Sequence, residues 1–257
     1  MPRTDYGWEI TPDELRAWTL YQDGGVLALN KPAHVVCHPS KRGPWSSLAG
    51  ACREYLGASK IHMPVRLDRE TSGVVVIVSD EQTGRRFHSA VTHRRVSKTY
   101  LAVLHGELHQ ALVVDAPLGP DPEAEYSTRQ TVLDEGGREA VTEFEPLSHG
   151  RGVTLVRVRP RTGRMHQIRA HALHVGFPIV GDKLYGTDPR YMFEFMRSGF
   201  SDELRAALLI DRQCLHAAEL VFHCEGGDWT FQAPTPRDFT EFCISHDVRP
   251  ANFPVEI

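Results

Sequence analysis

Five consecutive β-branched residues, Val74-Val75-Val76-Ile77-Val78, constrain the fold more than any other segment of the chain. Such a run, without polar alternation, predicts a short strand covered on both faces, because every side chain left in water would forfeit its burial energy. The chain must then supply a layer on either side. Asp80 is the expected N-cap of a helix running to about Arg95, with Phe87, Ala90 and Val91 as its buried stripe and its arginines facing outward. Upstream, the segment from Val26 predicts a second strand stopped at Pro32. Val35 and Val36 begin another extended piece, and a helix is expected from about Ser46 to Leu56. Between that helix and the buried strand lies a polar loop, Pro64 to Gly73.

Downstream, Tyr100 to Leu104 reads as a strand, and Arg138 to Leu147 with Gly152 to Arg159 as a hairpin turning at His149-Gly150-Arg151-Gly152. A helix is expected from about Gly163 to Val175, ended by Gly176. Two further helical stretches follow, near Pro189 to Met196 and Asp202 to Ile210. Leu220 to Cys224 and Trp229 to Ala233 flank Glu225-Gly226-Gly227-Asp228, a strong hairpin signal, and a short helix closes the pattern near Phe239 to Ser245. Strict βαβ alternation is missing, which favours an α+β domain with a mixed or antiparallel sheet over a doubly wound one. The 257 residues, 41% apolar, suffice for a core without metal or disulfide staples. No linker or repeat divides them, so one main domain is expected over 25–245, between an N-terminal extension (1–24) and a C-terminal tail (246–257).

Five scattered cysteines without a C-x-x-C pair suggest neither a disulfide framework nor a cysteine zinc site, and they fit a reducing compartment. The first ten residues lack the apolar core of a signal peptide, and the longest apolar run is far too short to cross a bilayer; a cytoplasmic protein is expected. The net charge of −4 gives no overall field to attract a polyanion, so any nucleic-acid surface must be local. Two stretches qualify: Arg85, Arg86, Arg94, Arg95 and Lys98; and Arg151, Arg157, Arg159, Arg161, Arg164 and Arg169. Acids collect elsewhere, notably from Asp121 to Glu125. A basic stretch is more often a solvated face than a phosphate track. The G-x-S-x-G elbow, the Walker A loop and the dinucleotide fingerprint are all missing, and nothing demands a cofactor.

Asp68 lies in the polar loop ahead of the buried strand, a position from which one carboxylate could serve a cleft, although most loop aspartates are turn or cap residues. In the Gly163 helix, Met165, Ile168, Ala172 and Val175 share a face at helical period. Arg169 then falls on the flank of that stripe, where a partly buried guanidinium needs an anion unless it snorkels to solvent. His166, His171 and His174 do not match H-E-x-x-H and carry no glutamate between them, so solvated or capping roles are expected rather than a zinc site. Tyr100 is either core packing or an aromatic platform with a polar tip.

Three ordered segments, Arg66-Leu67-Asp68-Arg69-Glu70-Thr71-Ser72-Gly73, Ser97-Lys98-Thr99-Tyr100-Leu101-Ala102 and Arg161-Thr162-Gly163-Arg164-Met165-His166-Gln167-Ile168-Arg169, resemble the motifs of the RluA-type pseudouridine synthases. The resemblance continues through Leu29-Asn30-Lys31-Pro32, Gly176 to Gly186, Leu215 to Ala218 and Phe231 to Pro234, and so spans about Gly25 to Phe239. It implies a mixed, largely antiparallel sheet with flanking helices and a central catalytic cleft, which isomerises uridine in structured RNA to pseudouridine without metal or organic cofactor. In the positions it assigns, Asp68 is the catalytic aspartate, Tyr100 packs against the target base, and Arg169 pairs with the aspartate. Extruding the base costs roughly a few kcal/mol of stacking and pairing, and Arg66 matches a residue that enters the vacated space. Arg164, His166, Gln167, Arg94, Arg95 and Lys98 are the expected RNA contacts. Val65 stands where the family often has histidine. The 24 residues ahead of Gly25 are too few for an S4-like RNA-binding domain, so discrimination between ribosomal and transfer RNA falls to this domain and its insertions, including Tyr185 to Ile210. No membrane or metal partner is implied, and a monomer is assumed. The competing readings are an RNA-binding module without turnover, and a hydrolase using Asp68 and a histidine.

Overall fold

The computed structural model describes residues 8–38, 43–124 and 128–249. Glu125 of the acidic stretch and the ends of both termini lie outside the described residues. The helices are α1 (Pro12–Trp18), α2 (Leu48–Tyr55), α3 (Glu81–Thr92), α4 (Gln167–His174), α5 (Tyr191–Ser198), α6 (Asp202–Leu208) and α7 (Arg237–Ser245). The strands are β1 (Thr19–Asp23), β2 (Val26–Lys31), β3 (Ser72–Val78), β4 (Val96–His105), β5 (Leu112–Asp115), β6 (Leu118–Pro120), β7 (Gln130–Val132), β8 (Val141–Gly150), β9 (Val153–Pro160), β10 (Leu215–Cys224) and β11 (Gly227–Gln232). They form two compact units. One takes the chain up to Lys98 together with Ala217–Pro236; the other takes Thr99–His216 and the residues from Arg237 onward. The fold is α+β with a largely antiparallel sheet, as expected.

In the first unit β3 lies between β2 and β10, with β1 beyond β2 and β11 beyond β10. All seven residues of β3 are buried, which answers the expectation of a strand covered twice. Val74, Val76 and Val78 join Phe87 and Ala90 of α3 and Phe222 of β10 in one apolar cluster. The rings of Phe87 and Phe222 stack at 4.2 Å within it, and full burial of each such side chain stabilises the unit by about 1.5–3 kcal/mol. Helix α3 starts where the cap residue dictates, Asp80 accepting from the Thr83 amide at 2.7 Å. The described residues of the N-terminal extension belong to this unit. Thr11 and Glu14 close a capping box on α1, and β1 pairs antiparallel with β2 across a turn at Gly24-Gly25, both at positive φ.

In the second unit β4, β9, β8 and β5 are neighbours in that order, all antiparallel, and β6 pairs with β7 separately. The β8–β9 turn is Arg151-Gly152, with φ of 45° and 75°, the left-handed pair that matches strand twist. Helix α4 begins four residues later than periodicity suggests, because His166 takes φ 54° and the preceding turn is held by side chains rather than helical bonds. Met165 therefore falls outside the helix and is exposed. The end of α4 is as expected: Gly176 at φ 82° donates to the Leu173 carbonyl and Phe177 to that of Ala172, a Schellman closure. Helices α5 and α6 share a small core of Phe195, Leu204 and Leu208, over which the Lys183 ammonium sits 4.9 Å from the Phe195 ring. The tail also belongs to this unit as far as it is described, for Val248 is fully buried and its amide donates to the Cys243 carbonyl.

Candidate active site

Asp68 belongs to the first unit, Tyr100 and Arg169 to the second. The Asp68 loop is anchored at both ends: Leu67 is buried before it, Thr71 and Ser72 after it, and the Asp68 carbonyl accepts from the Thr71 amide at 3.2 Å. Asp68 itself is half-buried and Arg66 exposed. Beneath the loop lies Lys31, a fully buried lysine at the end of β2. Its ammonium donates to the carbonyls of Pro32 (2.8 Å), Val35 (2.9 Å) and Arg69 (3.0 Å). An ammonium has three protons and no acceptor, so these bonds use its whole donor capacity and make its burial tolerable. They also tie the residue after Asp68 to the second strand. Gly73 closes the segment at φ 112°, and a Cβ there would collide with the Ala217 carbonyl of β10. The neighbouring Cys37 thiol is pushed up chiefly by burial, with Lys31 and Arg66 acting against that rise and Asp68 with it.

In the second unit Arg169 is buried and does meet an anion. Its Nε and Nη2 donate to the two carboxylate oxygens of Asp182 at 2.6 and 2.9 Å. The Asp182 Oδ1 also accepts from the amides of Leu184 and Tyr185, each at 2.9 Å. Burial alone would raise this carboxyl, but the Arg169 charge and these donors outweigh it and hold it below the usual carboxylate range. Arg169 lies over the Tyr185 ring, 4.9 Å from its centroid, and Arg129 is 5.3 Å from the same centroid. The Tyr185 oxygen accepts from the Gln130 amide at 2.7 Å and is 3.1 Å from His166 Nδ1. Burial pushes this phenol up to about 12, so it stays protonated. Tyr100 is buried in β4, opposite Val158 of β9.

Sequence reasoning assigns Asp182 and Tyr185 no role beyond membership of a motif. The signal is nonetheless present: a guanidinium on an apolar helix demands an acid, and Asp182 lies within a short, glycine-bracketed turn downstream.

Three of the expected RNA contacts also make hydrogen bonds within the chain. The Gln167 carbonyl accepts from the Thr162 hydroxyl (2.7 Å) and the Arg164 amide (2.9 Å), while its NH2 donates to the Val141 carbonyl (2.9 Å) and the Thr142 hydroxyl (3.0 Å). That saturates a buried amide and leaves nothing for a base. Arg164 donates to the Glu139 carbonyl at 2.8 Å, and His166 faces Tyr185. These residues position the start of α4, and with it Arg169.

The second basic stretch is likewise compensated. Arg157 and Arg159 of β9 both pair with Glu145 at 2.8 Å, and Arg161, just past the end of that strand, pairs with Glu143; both glutamates stand on the adjacent strand β8. Arg151 pairs with Asp247. The acids are invisible as partners in linear order because they come from the other strand of a hairpin. In the first stretch Arg85 pairs with Glu81, and Arg86 donates to the Glu225 carbonyl. Arg94 and Arg95 are exposed where α3 turns into β4, and Lys98 is half-buried. His171, expected to be solvated or capping, is fully buried between the Thr142 hydroxyl and the Ala116 carbonyl, each 2.9 Å away.

A family model described as RNA pseudouridylate synthase matches residues 25–174. The ribosomal large subunit pseudouridine synthase D of Yersinia pestis is 32% identical over 239 residues, covering 90% of this chain and 70% of that protein. An uncharacterized RNA pseudouridine synthase of Bacillus subtilis, YlyB, is 32% identical over 231 residues, covering 86% of this chain and 70% of its own length. Among solved structures, human RNA pseudouridylate synthase domain containing 4 superposes with a TM-score of 0.74 at 24% identity, over 94% of this chain and 97% of that one.

Proposed function

The chain belongs to the RNA pseudouridylate synthase family and is an RNA-modifying isomerase, and we propose that Asp68 carries its chemistry on uridines extruded from structured RNA. The observation that carries this reading is the Asp68 loop itself. It is a polar segment braced by a buried lysine and leading into a fully buried strand, a construction that fixes one half-exposed carboxylate. The uracil must leave C1′ of the ribose, turn, and rejoin through carbon. A fixed carboxylate attacks or stabilises the sugar centre while the base is detached, whether by direct addition or through a glycal. The resemblance gives Tyr100 the role of packing against the detached base and helping to move its proton, and Arg169 that of a cation serving the reaction. Arg169 is itself oriented by Asp182, so its guanidinium arrives in one geometry.

The base reaches Asp68 by flipping, with Arg66 entering the space it leaves. Arg94, Arg95 and Lys98 contact phosphates, so Arg94→Ala and Arg95→Ala weaken binding and flatten its salt dependence. The substrate is a ribosomal or transfer RNA of the cytoplasm. Large-subunit ribosomal RNA is tested first because relatives carry that name. The deciding experiment incubates the protein and its Asp68→Asn variant with ribosomal and transfer RNA and maps pseudouridine at single-nucleotide resolution. One or a few modified sites that vanish in the variant are expected; full activity in Asp68→Asn refutes the assignment.

A further inference from the structure

We propose that Ser97, His223 and Asp228 form a second reactive centre, an activated serine that accepts acyl groups from esters with good leaving groups. Ser97 Oγ lies 2.8 Å from His223 Nε2, and Asp228 Oδ2 lies 2.8 Å from His223 Nδ1. A carboxylate only accepts, so Nδ1 donates to it, which turns Nε2 toward the serine hydroxyl. Nucleophile, base and orienting acid thus stand in the order that acyl transfer requires.

All three are held by sheet backbone. His223 and Asp228 are cross-strand partners in the β10–β11 hairpin, which turns through Glu225-Gly226. The His223 amide donates to the Arg95 carbonyl at 3.0 Å, which brings β10 alongside the start of β4, where Ser97 stands. None of the three residues is used in the uridine chemistry above.

Exposure sets the substrate class. The side chains of His223 and Asp228 are 43% and 54% exposed and that of Ser97 is also open to solvent, so a tetrahedral oxyanion would form in water, where donors stabilise it little. Peptides and simple alkyl esters are therefore excluded, and aryl esters, whose phenol departs readily, are accepted. Ser97 Oγ attacks the carbonyl carbon as its proton passes to His223 Nε2. The bond to the aryl oxygen then breaks, that oxygen takes the proton from Nε2, and the acyl group remains on Ser97. A water molecule attacks the acyl-serine through the same nitrogen, releasing the carboxylic acid and restoring the hydroxyl.

The test treats the full chain with an alkyl fluorophosphonate and, separately, with p-nitrophenyl acetate, and locates the covalent label by peptide mass. Labelling at Ser97 with a burst of nitrophenol is expected, and Ser97→Ala abolishes both. A positioned base contributes about 100-fold or more to such a step, so His223→Gln slows labelling by at least that factor, and Asp228→Asn lowers it to a lesser degree. Absence of label at Ser97, or labelling of His223→Gln at the rate of the unchanged protein, overturns the proposal.

Discussion

Changing Asp182 to asparagine preserves shape and removes one buried charge, which isolates the worth of the Arg169–Asp182 pair. The carboxylate accepts four hydrogen bonds, two from the guanidinium and two from backbone amides. The amide oxygen of the substituted side chain can keep the backbone pair, but its NH2 then faces a guanidinium that has only donors. Hydrogen bonds to charged groups contribute about 1.5–3 kcal/mol each, and breaking a buried pair from one side costs about 3–5 kcal/mol because the remaining charge is stranded. Against a total stability of about 5–15 kcal/mol, that is a large fraction. At about 2–4 °C per kcal/mol for a chain of this size, Asp182→Asn should melt roughly 6–20 °C lower. Thermal and urea unfolding followed by far-ultraviolet circular dichroism measures the drop. The double variant Asp182→Asn, Arg169→Met removes both charges while the asparagine oxygen keeps the two backbone amides, and it should regain much of the loss. Because the carboxyl is held low, the pair's stabilisation is complete above the ordinary carboxylate range and disappears only as pH falls through the depressed value. An unchanged melting temperature in Asp182→Asn would refute the reasoning.

Lys31→Met strips donors from three carbonyls, at about 1–3 kcal/mol for each acceptor left buried. It should lower kcat far more than it raises KM, and steady-state assays showing a change in KM alone would contradict the bracing role. Gly73→Ala places a side chain at φ 112° against the Ala217 carbonyl, so its unfolding free energy from urea titration should fall by more than the ~1–2 kcal/mol of a left-handed alanine alone; an unaltered midpoint would show that the strands can part. His105 and His171 are both lowered by burial, with the Ala116 carbonyl acting against the shift at His171. Protonation therefore favours the unfolded chain: their contribution is whole above about pH 6.5 and fades as pH falls through their folded values. Urea midpoints should decline from about pH 7.5 to about pH 5, less steeply in His105→Gln, and a flat profile would speak against it.

Elements whose determinants are local are legible in the chain. The apolar run Val74–Val78 of β3, the Asp80 cap and the Gly176 stop need only their neighbours, and each appears where expected. The Arg169 argument is also local in part, since a guanidinium on an apolar helix announces that an anion must exist. It cannot name Asp182, which comes from a turn after the helix rather than from the helix itself. Periodicity misplaces the start of α4 for a related reason: Gln167 spends its amide on Thr162, Val141 and Thr142, and those contacts outweigh helical spacing. Arg157, Arg159 and Arg161 show the same limit. In linear order they form a basic run, whereas in the hairpin they face glutamates two strand positions apart on β8. Charge patterns in strands acquire meaning only once register is known.

The interleaving of the two units bears on how the protein is made. Neither is a contiguous stretch, for the first recovers Ala217–Pro236 only after Thr99–His216 has intervened. During synthesis the partly built first sheet must therefore wait for roughly 120 further residues, on the order of ten seconds at ribosomal speed, before β10 emerges to pair with β3 and β11 follows to pair with β10. Over that interval the β-branched edge of β3 is unmated, which makes the nascent chain dependent on whatever shields that edge until the last strands leave the exit tunnel.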